Sequence, residues 1–230
     1  MKLSIIVPVL DEAAGIAGTL AALAGTRARD VEVIVVDGGS RDDSRALAAP
    51  LADRVIDAPR GRASQMNAGA AQARGEVLLF LHADTRLPPD AARLVIDGLA
   101  ASRREWGRFD VAIEGASPLL ALVAAFMNAR SRLTSIATGD QAVFARRGAF
   151  EAAGGYPAIP LMEDVAFSEA MRRRGPPLCL RAKAVTSGRR WESRGTLRTI
   201  FLMWRLRLAF RLGADPARLA HRYDRGRAAR

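Results

Sequence analysis

Lys2-Leu3-Ser4-Ile5-Ile6-Val7-Pro8-Val9 is a mostly apolar run that gives way to Asp11-Glu12. Val31-Glu32-Val33-Ile34-Val35-Val36 repeats the pattern and ends on Asp37. Val77-Leu78-Leu79-Phe80-Leu81 repeats it again and ends on His82-Ala83-Asp84. Short apolar runs bounded by turn residues read as strands buried on both faces. Helical stretches, Glu12–Ala24, Asp42–Ala52 and Ser64–Arg74, lie between them. This alternation predicts an α/β fold with a parallel, doubly wound sheet. Ligands of such sheets bind beyond the carboxyl ends of the strands. Asp11, Glu12, Asp37 and Asp84 all fall there, which is more acid than packing needs.

The second half reads as more mixed. Phe109–Glu114 is a strand that need not be parallel, and Pro118–Arg132 an apolar helix. Gly139–Arg146 holds a short strand behind polar lead-in residues, and Gly154-Gly155-Tyr156-Pro157 is a turn. Glu163–Arg173 is a helix stopped by Gly175-Pro176-Pro177. With 230 residues, half of them apolar, the chain fits one large domain. The lone Cys179 cannot form an internal disulfide and reads as an inert thiol. The first strand starts too early for a signal peptide, which predicts a cytoplasmic protein. The longest apolar run, Leu119 to Met127, is too short to cross roughly 30 Å of hydrocarbon.

Charge is unevenly spread. Residues 171–230 carry 17 basic and 3 acidic side chains, more than the whole chain's net charge of +11. Such a segment attracts phosphates, acidic lipid or nucleic acid. An arginine-rich composition, 33 of the 35 basic residues, is the plain alternative. Within it, Leu197, Phe201, Trp204 and Leu208 form one helical stripe, and Met203, Leu206 and Phe210 a nearly opposite one. Arg198 and Arg205 border one side, and Arg207 and Arg211 the other. A helix apolar on two faces needs two partners. One is its own domain; the second is expected to be an anionic membrane surface, with a homodimer contact through 197–212 as the competing reading. Peripheral attachment to the inner membrane face, and a lipid-linked acceptor, would follow.

Two common phosphate sites are absent. No Gly-x-Gly-x-x-Gly follows the first strand, and no Gly-x-x-x-x-Gly-Lys-[Ser/Thr] occurs, which argues against a nicotinamide dehydrogenase and a P-loop nucleotidase. The ordered motifs instead resemble family 2 glycosyltransferases. They are Ser4–Pro8 with Asp11-Glu12, Val35–Asp42, Asn67-Ala68-Gly69 with Ala73–Glu76, Leu79–Thr85, Gly154–Pro157 and Met162-Glu163-Asp164. The resemblance covers about residues 2–190. His82-Ala83-Asp84 and Arg189-Arg190-Trp191 resemble the stand-alone subgroup associated with radical-SAM and selenodomain proteins.

The resemblance implies a GT-A type single domain over 1–192, a mostly parallel Rossmann-like sheet flanked by helices. Its nucleotide-sugar half spans about 1–100 and its acceptor half about 101–192. A basic amphipathic helical tail, 193–230, packs on it. Asp37 resembles the carboxylate that accepts a hydrogen bond from the donor's base, although it also fits an N-cap. Asp11 and Glu12 resemble groups at the ribose, and Pro8, Gly39 and Ser40 belong to the same donor motifs. Arg62, in the turn before a helix, fits a diphosphate clamp or a solvated surface arginine.

Asp84 resembles the last residue of the Asp-x-Asp metal motif, which implies Mg²⁺ or Mn²⁺. Here His82 stands at the first Asp position and cannot reproduce its charge. It fits a donor contact or a strand-end core histidine. Asp164 resembles the general base that removes the acceptor's proton, and also fits an acidic residue at a helix start. Asp140, Gln141, Glu163, Arg190 and Trp191 are assigned to the acceptor side, Trp191 with a core role as its plain alternative. The implied reaction is inverting, metal-assisted transfer of a sugar from a nucleotide-diphosphate sugar to an acceptor hydroxyl. The competing readings are a sugar-phosphate nucleotidyltransferase and a basic membrane- or nucleic-acid-binding module. The first lacks its basic Gly-rich loop after strand one, and the second leaves the ordered acidic motifs unexplained, so nucleic acid is not an expected partner.

Overall fold

A computed structural model describes residues 2–26 and 30–225, with the side chains of Arg190, Arg194, Asp224 and Arg225 left out of the description. The first half runs β1 (Leu3–Val9), α1 (Ile16–Ala22), β2 (Val31–Asp37), α2 (Ser44–Ala48), β3 (Arg54–Asp57), α3 (Arg62–Gln72), β4 (Val77–Phe80), β5 (Thr85–Arg86) and α4 (Ala91–Ala101). Then follow β6 (Trp106–Glu114), α5 (Leu119–Thr134), β7 (Phe144–Arg146), α6 (Arg147–Ala152), α7 (Glu163–Arg174) and β8 (Leu178–Ser187). The chain closes with α8 (Arg189–Arg194), α9 (Thr196–Arg211) and α10 (Pro216–Arg225).

β1 is buried along its whole length because it has strands on both sides and helices on both faces. Its side chains alternate between two cores, as the period of a strand requires. Leu3, Ile5, Val7 and Val9 pack with α1 and α4, while Ile6 packs with α3, α6 and α7. Pro8 is tolerated because β1–β4 pairing ends at Ile6 and Phe80, so its missing N–H leaves no gap in that ladder.

The sheet order is β3-β2-β1-β4-β7-β6-β8-β5. The first four strands are parallel to one another, as the alternation predicts. Beyond them the sheet is mixed: β7 is antiparallel to β4 and β6, β6 and β8 run parallel, and β5 caps the edge antiparallel to β8.

Several boundaries differ from the sequence reading for local reasons. α1 begins at Ile16 and not Glu12, because the backbone of 11–13 is held by the next loop: Asp11 N–H by Ser40 Oγ at 3.0 Å, Glu12 N–H by Ser44 Oγ at 2.7 Å, Ala13 N–H by Asp42 Oδ2 at 2.9 Å. α2 ends at Ala48, and Pro50 sits in the 3₁₀ turn after it. The lead-in to β7 is a 3₁₀ turn, Gly139–Gln141, closed by a reciprocal pair between Thr138 and Gln141.

The tail joins the body through a separate core. Leu206 of α9 and Leu219 of α10 are buried with Ile136, Leu161, Met162 and Val165, and Met203 and Phe210 pack around them. The stripe of Met203, Leu206 and Phe210 is thus the one that docks. Leu197, Phe201, Trp204 and Leu208 remain exposed, each by about 60%. No helix among the described residues is long and apolar enough to cross a membrane.

Candidate active site

The carboxyl ends of β1, β4 and β8 open on a cleft of about 270 Å³. β1 and its following loop supply Pro8, Val9 and Glu12; β4's extension supplies His82 and Asp84; β8 supplies Thr186 and Ser187. The start of α3 brings Arg60, Gly61, Arg62 and Gln65, the 3₁₀ turn brings Asp140, α8 brings Trp191 and α10 brings Tyr223. A smaller recess of about 60 Å³ shares Arg62, His82, Asp140 and Tyr223 with it and ends on Glu163, Asp164, Met203 and Arg207. Residues scattered over the chain therefore meet in one place.

Asp11, Asp37, Gly39 and Ser40 do not line that cleft. They knit the ends of β1 and β2 into its rim. Asp37 Oδ2 accepts the N–H groups of Gly39 and Ser40, each at 3.0 Å, and its Oδ1 accepts the Ser40 hydroxyl at 2.5 Å. Asp11 Oδ1 accepts the Arg41 N–H at 2.8 Å. Asp37 is not the cap of the next helix: α2 starts at Ser44 with Asp43 before it, and Asp42 holds the Ser44 N–H and hydroxyl. Gln65, which sequence reading passed over, donates to the carbonyls of both Val9 and Val36 at 2.8 Å and ties the two strand ends together.

Asp84 is half-buried in the cleft wall, and its carbonyl accepts the Ser187 N–H at 3.1 Å. Among the described residues no group of three or more His, Cys, Asp or Glu could hold a metal ion. A cation here would need oxygen ligands from a bound molecule besides Asp84, and a carboxylate suits a hard divalent ion. His82 is committed elsewhere: Nδ1 lies 3.2 Å from Asp140 Oδ1, and the ring rests on Gly139. A Cβ at 139 would stand 2.2 Å from His82 Nε2, so glycine is what lets the ring lie there.

Glu163 and Asp164 are the first two residues of α7, but they differ in surroundings. Glu163 is buried, 3.6 Å from Arg62 Nη1. Burial first, and the adjacent Asp164 carboxylate second, push its pKa above the ordinary value, while Arg62 pulls the other way. Asp164 is held by two backbone donors: Gly139 N–H to Oδ2 at 3.0 Å, and Val165 N–H to Oδ1 at 2.7 Å. Its carboxylate is therefore fixed in direction. The Arg62 side chain is 41% exposed; the burial of the rest opposes its charge, but Glu163, and after it Tyr223, Asp140 and Asp164, keep its pKa above the ordinary arginine value.

Gln141 is a correction. It is fully buried and lies away from the cleft, with its side chain used on the Thr138 N–H at 3.2 Å and on Asn128 Oδ1 at 3.3 Å. The Arg190 side chain lies outside the described residues. Trp191 lines the cleft and packs beside Val111, Val123 and Met127. Arg189 reaches across to Glu12, Nη2 to Oε2 at 3.3 Å, joining the end of β8 to the β1 loop.

Residues 4–118 match the description "Glycosyl transferase family 2". A PGL/p-HBAD biosynthesis glycosyltransferase of Mycobacterium bovis is 41% identical over 91 residues, 36% of each chain. An undecaprenyl-phosphate 4-deoxy-4-formamido-L-arabinose transferase of Pseudomonas paraeruginosa is 29% identical over 108 residues, 42% of this chain and 32% of that one. The chain thus spans about a third of the length of these curated relatives. The mannosyltransferase PcManGT from Pyrobaculum calidifontis, solved with GDP-Man and Mn²⁺, superposes with a TM-score of 0.64 at 21% identity, covering 99% of this chain and 70% of that one. That likeness gives the GT-A fold. Matched over half its length, the chain belongs to glycosyl transferase family 2.

Proposed function

We propose that the chain is an inverting glycosyltransferase that moves a sugar from a nucleotide-diphosphate sugar to a hydroxyl of a lipid-linked acceptor. The observation that carries this reading is the convergence of Asp84 and the Glu163–Asp164 pair on one connected cleft, from opposite halves of the chain. In this reading residues 1–100 hold the donor, residues 101–192 face the acceptor and 193–230 is the tail. His82-Ala83-Asp84 and Arg189-Arg190-Trp191 support placing the chain in the stand-alone subgroup.

The rim of Asp11, Asp37, Gly39 and Ser40 takes the nucleoside, with Asp37 accepting a base N–H and Glu12 beside the ribose. The first turn of α3 has no side-chain cap, and its free N–H groups suit the diphosphate, with Arg62 as the countercharge. Asp84 would hold a divalent cation together with the diphosphate, and that ion would neutralise charge on the departing nucleotide. His82 and Asp140 brace the floor between donor and acceptor. Asp164 takes the proton of the acceptor hydroxyl as its oxygen bonds to the sugar's anomeric carbon. The bond from that carbon to the diphosphate oxygen breaks on the opposite face, so configuration inverts and the nucleoside diphosphate leaves. The undecaprenyl-phosphate transferase among the relatives supports a lipid-linked acceptor.

A melting screen with nucleoside diphosphates, with and without Mn²⁺, tests the reading. A ligand at a hundredfold its Kd adds about 2.7 kcal/mol, a rise of roughly 5–11 °C for a chain of this size. Asp84→Asn should remove the Mn²⁺-dependent part of that rise, and Asp37→Ala most of it. No stabilisation by any nucleoside diphosphate would sink the proposal.

A further inference from the structure

Every exposed large apolar side chain among the described residues, except Leu47, lies on α5, on α9 or at the C-cap of α9. Leu122 and Phe126 of α5 are exposed by 54% and 65%, and Phe201 and Trp204 of α9 by 60% and 61%. The two helices are joined where Ile200 packs on Val123, Ala124 and Met127, so their outer stripes form one surface. An apolar patch of this extent, rimmed by polar residues, marks an interaction site.

Its charge says what covers it. Neither 119–134 nor 196–211 contains an acidic residue. Arg198, Arg205 and Arg211 on α9 are exposed and make no ion pair among the described residues. A two-fold contact between copies of this face would set these arginines against one another with no carboxylate to answer them. Lipid phosphates do answer them. Phe201 and Trp204 meet edge to face at 6.1 Å, and Trp rings favour headgroup level. Leu208 and Leu212 also edge an open, largely apolar groove of about 420 Å³ between α9 and α10, beside Arg205 and Arg222.

We infer that α5 and α9 together seat the protein on an anionic bilayer, apolar side chains in the headgroup–acyl boundary and Arg198, Arg205 and Arg211 on lipid phosphates. α9 alone gives a single stripe; α5 doubles it. The inner face of α9 carries Met203 and Arg207 to the recess at Asp164. Docking would therefore bring that recess close to the headgroups, and this last step rests on the proposed transfer to a lipid-linked acceptor.

The test is co-sedimentation of the full chain with sucrose-loaded vesicles of phosphatidylcholine alone, or with a third phosphatidylglycerol. Binding to the anionic vesicles should be about tenfold tighter or more, and should weaken as salt rises. Phe201→Ser/Trp204→Ser and Leu122→Ser/Phe126→Ser should each weaken it by about tenfold, while nucleoside diphosphate affinity by calorimetry stays at the wild-type value. Wild-type protein that fails to sediment with anionic vesicles at low salt overturns the inference. So does a dimer, seen by ultracentrifugation, that these substitutions dissolve while vesicle binding is unchanged. Vesicle binding without nucleotide binding would refute the transferase reading and leave this one standing.

Discussion

Asparagine at position 164 should separate chemistry from structure, and the cost of each can be worked out. The Asp164 carboxylate accepts from Gly139 N–H at 3.0 Å and from Val165 N–H at 2.7 Å, one donor on each oxygen. An amide has one oxygen and one NH₂, so either rotamer turns a donor toward a donor. Losing one such part-buried bond costs about 1–3 kcal/mol. Each kcal/mol lowers Tm by roughly 2–4 °C in a chain of this size, so Asp164→Asn should melt about 2–12 °C lower. The chemical cost is separate. The amide cannot take the acceptor's proton, and loss of a general base lowers turnover about 10²–10⁴-fold. Because Asp164 lies in the recess and not on the β1–β2 rim, donor affinity should hold, with the loss in kcat and not in donor KM.

The assays are a thermal melt, calorimetry with nucleoside diphosphate, and transfer to an acceptor. Transfer by Asp164→Asn at near the wild-type rate would refute the base assignment. It would move the proton to Glu163 or Asp140 and leave Asp164 as a tether for the 139 turn. A parallel loss of donor affinity would also refute it, since the two carboxylate sites would then not divide donor from acceptor.

Glu163→Gln should show its effect in the pH dependence of stability. The folded pKa of Glu163 is raised, so the folded state binds this proton more tightly than the unfolded chain, and that contribution is lost as pH rises through the raised value. The variant should therefore gain stability relative to wild type as pH rises above the ordinary carboxylate range, and Tm curves that stay parallel would refute the assignment. Gly139→Ala should displace the His82 ring, since the new methyl carbon would stand 2.2 Å from Nε2, and slow transfer by at least tenfold by tilting the amide that aims Asp164. Wild-type turnover would show that the turn gives way freely. Asn67→Ala should cost about 1–3 kcal/mol by denaturant midpoint with kcat per folded molecule unchanged, because its amide clamps the backbone N–H and C=O of Tyr156 at 2.9 and 2.8 Å.

That last residue illustrates what the sequence conveys and what it conceals. β1, β2 and β4 are legible because a strand covered on both faces must be apolar throughout. β8 is not, because it is only partly covered and carries Arg181 and Lys183, and its pairing with β6 breaks register between Phe109 and Asp110. β3 and β5 are too short to have a period. The strand-end carboxylates gather at one edge, Glu12 and Asp84 in the cleft and Asp11 and Asp37 on its rim, since the topology of a parallel sheet forces those ends together. Residue type does not reveal where a polar motif residue serves the backbone. Gln141 completes a turn, and Asn67 pins the Gly155–Tyr156 turn under the aromatic cluster of Phe80, Phe150, Tyr156 and Phe167. Neither is distinguishable by residue type from a ligand contact. Arg207 and Tyr223 escape notice for the opposite reason. They lie in helices whose pattern speaks only of an amphipathic tail, and nothing local tells which border of a stripe turns back toward the cleft.

Backbone strain supplies a signal that no residue pattern carries. Four described non-glycine residues have positive φ: Asp11 at 53°, Ser135 at 59°, Ala142 at 45° and Met162 at 69°. Alanine and methionine are poorly suited to that region, where each costs about 1–3 kcal/mol. Three of the four border the site. Asp11 begins the loop that leads Glu12 to the cleft, Ala142 closes the turn that bears Asp140 and the Gly139 amide, and Met162 immediately precedes Glu163 and Asp164. In each case the unfavourable residue is the hinge that turns the chain into the position where a carboxylate meets the cleft. The surrounding bonds hold it: Ser40 and Arg41 on Asp11, the Thr138–Gln141 pair under Ala142, and the buried side chain of Met162 against Leu206 and Leu219. The last of these links the tail to the chemistry. Removing α9 and α10 would uncover Met162, and the conformation that presents Asp164 would lose the packing that sustains it.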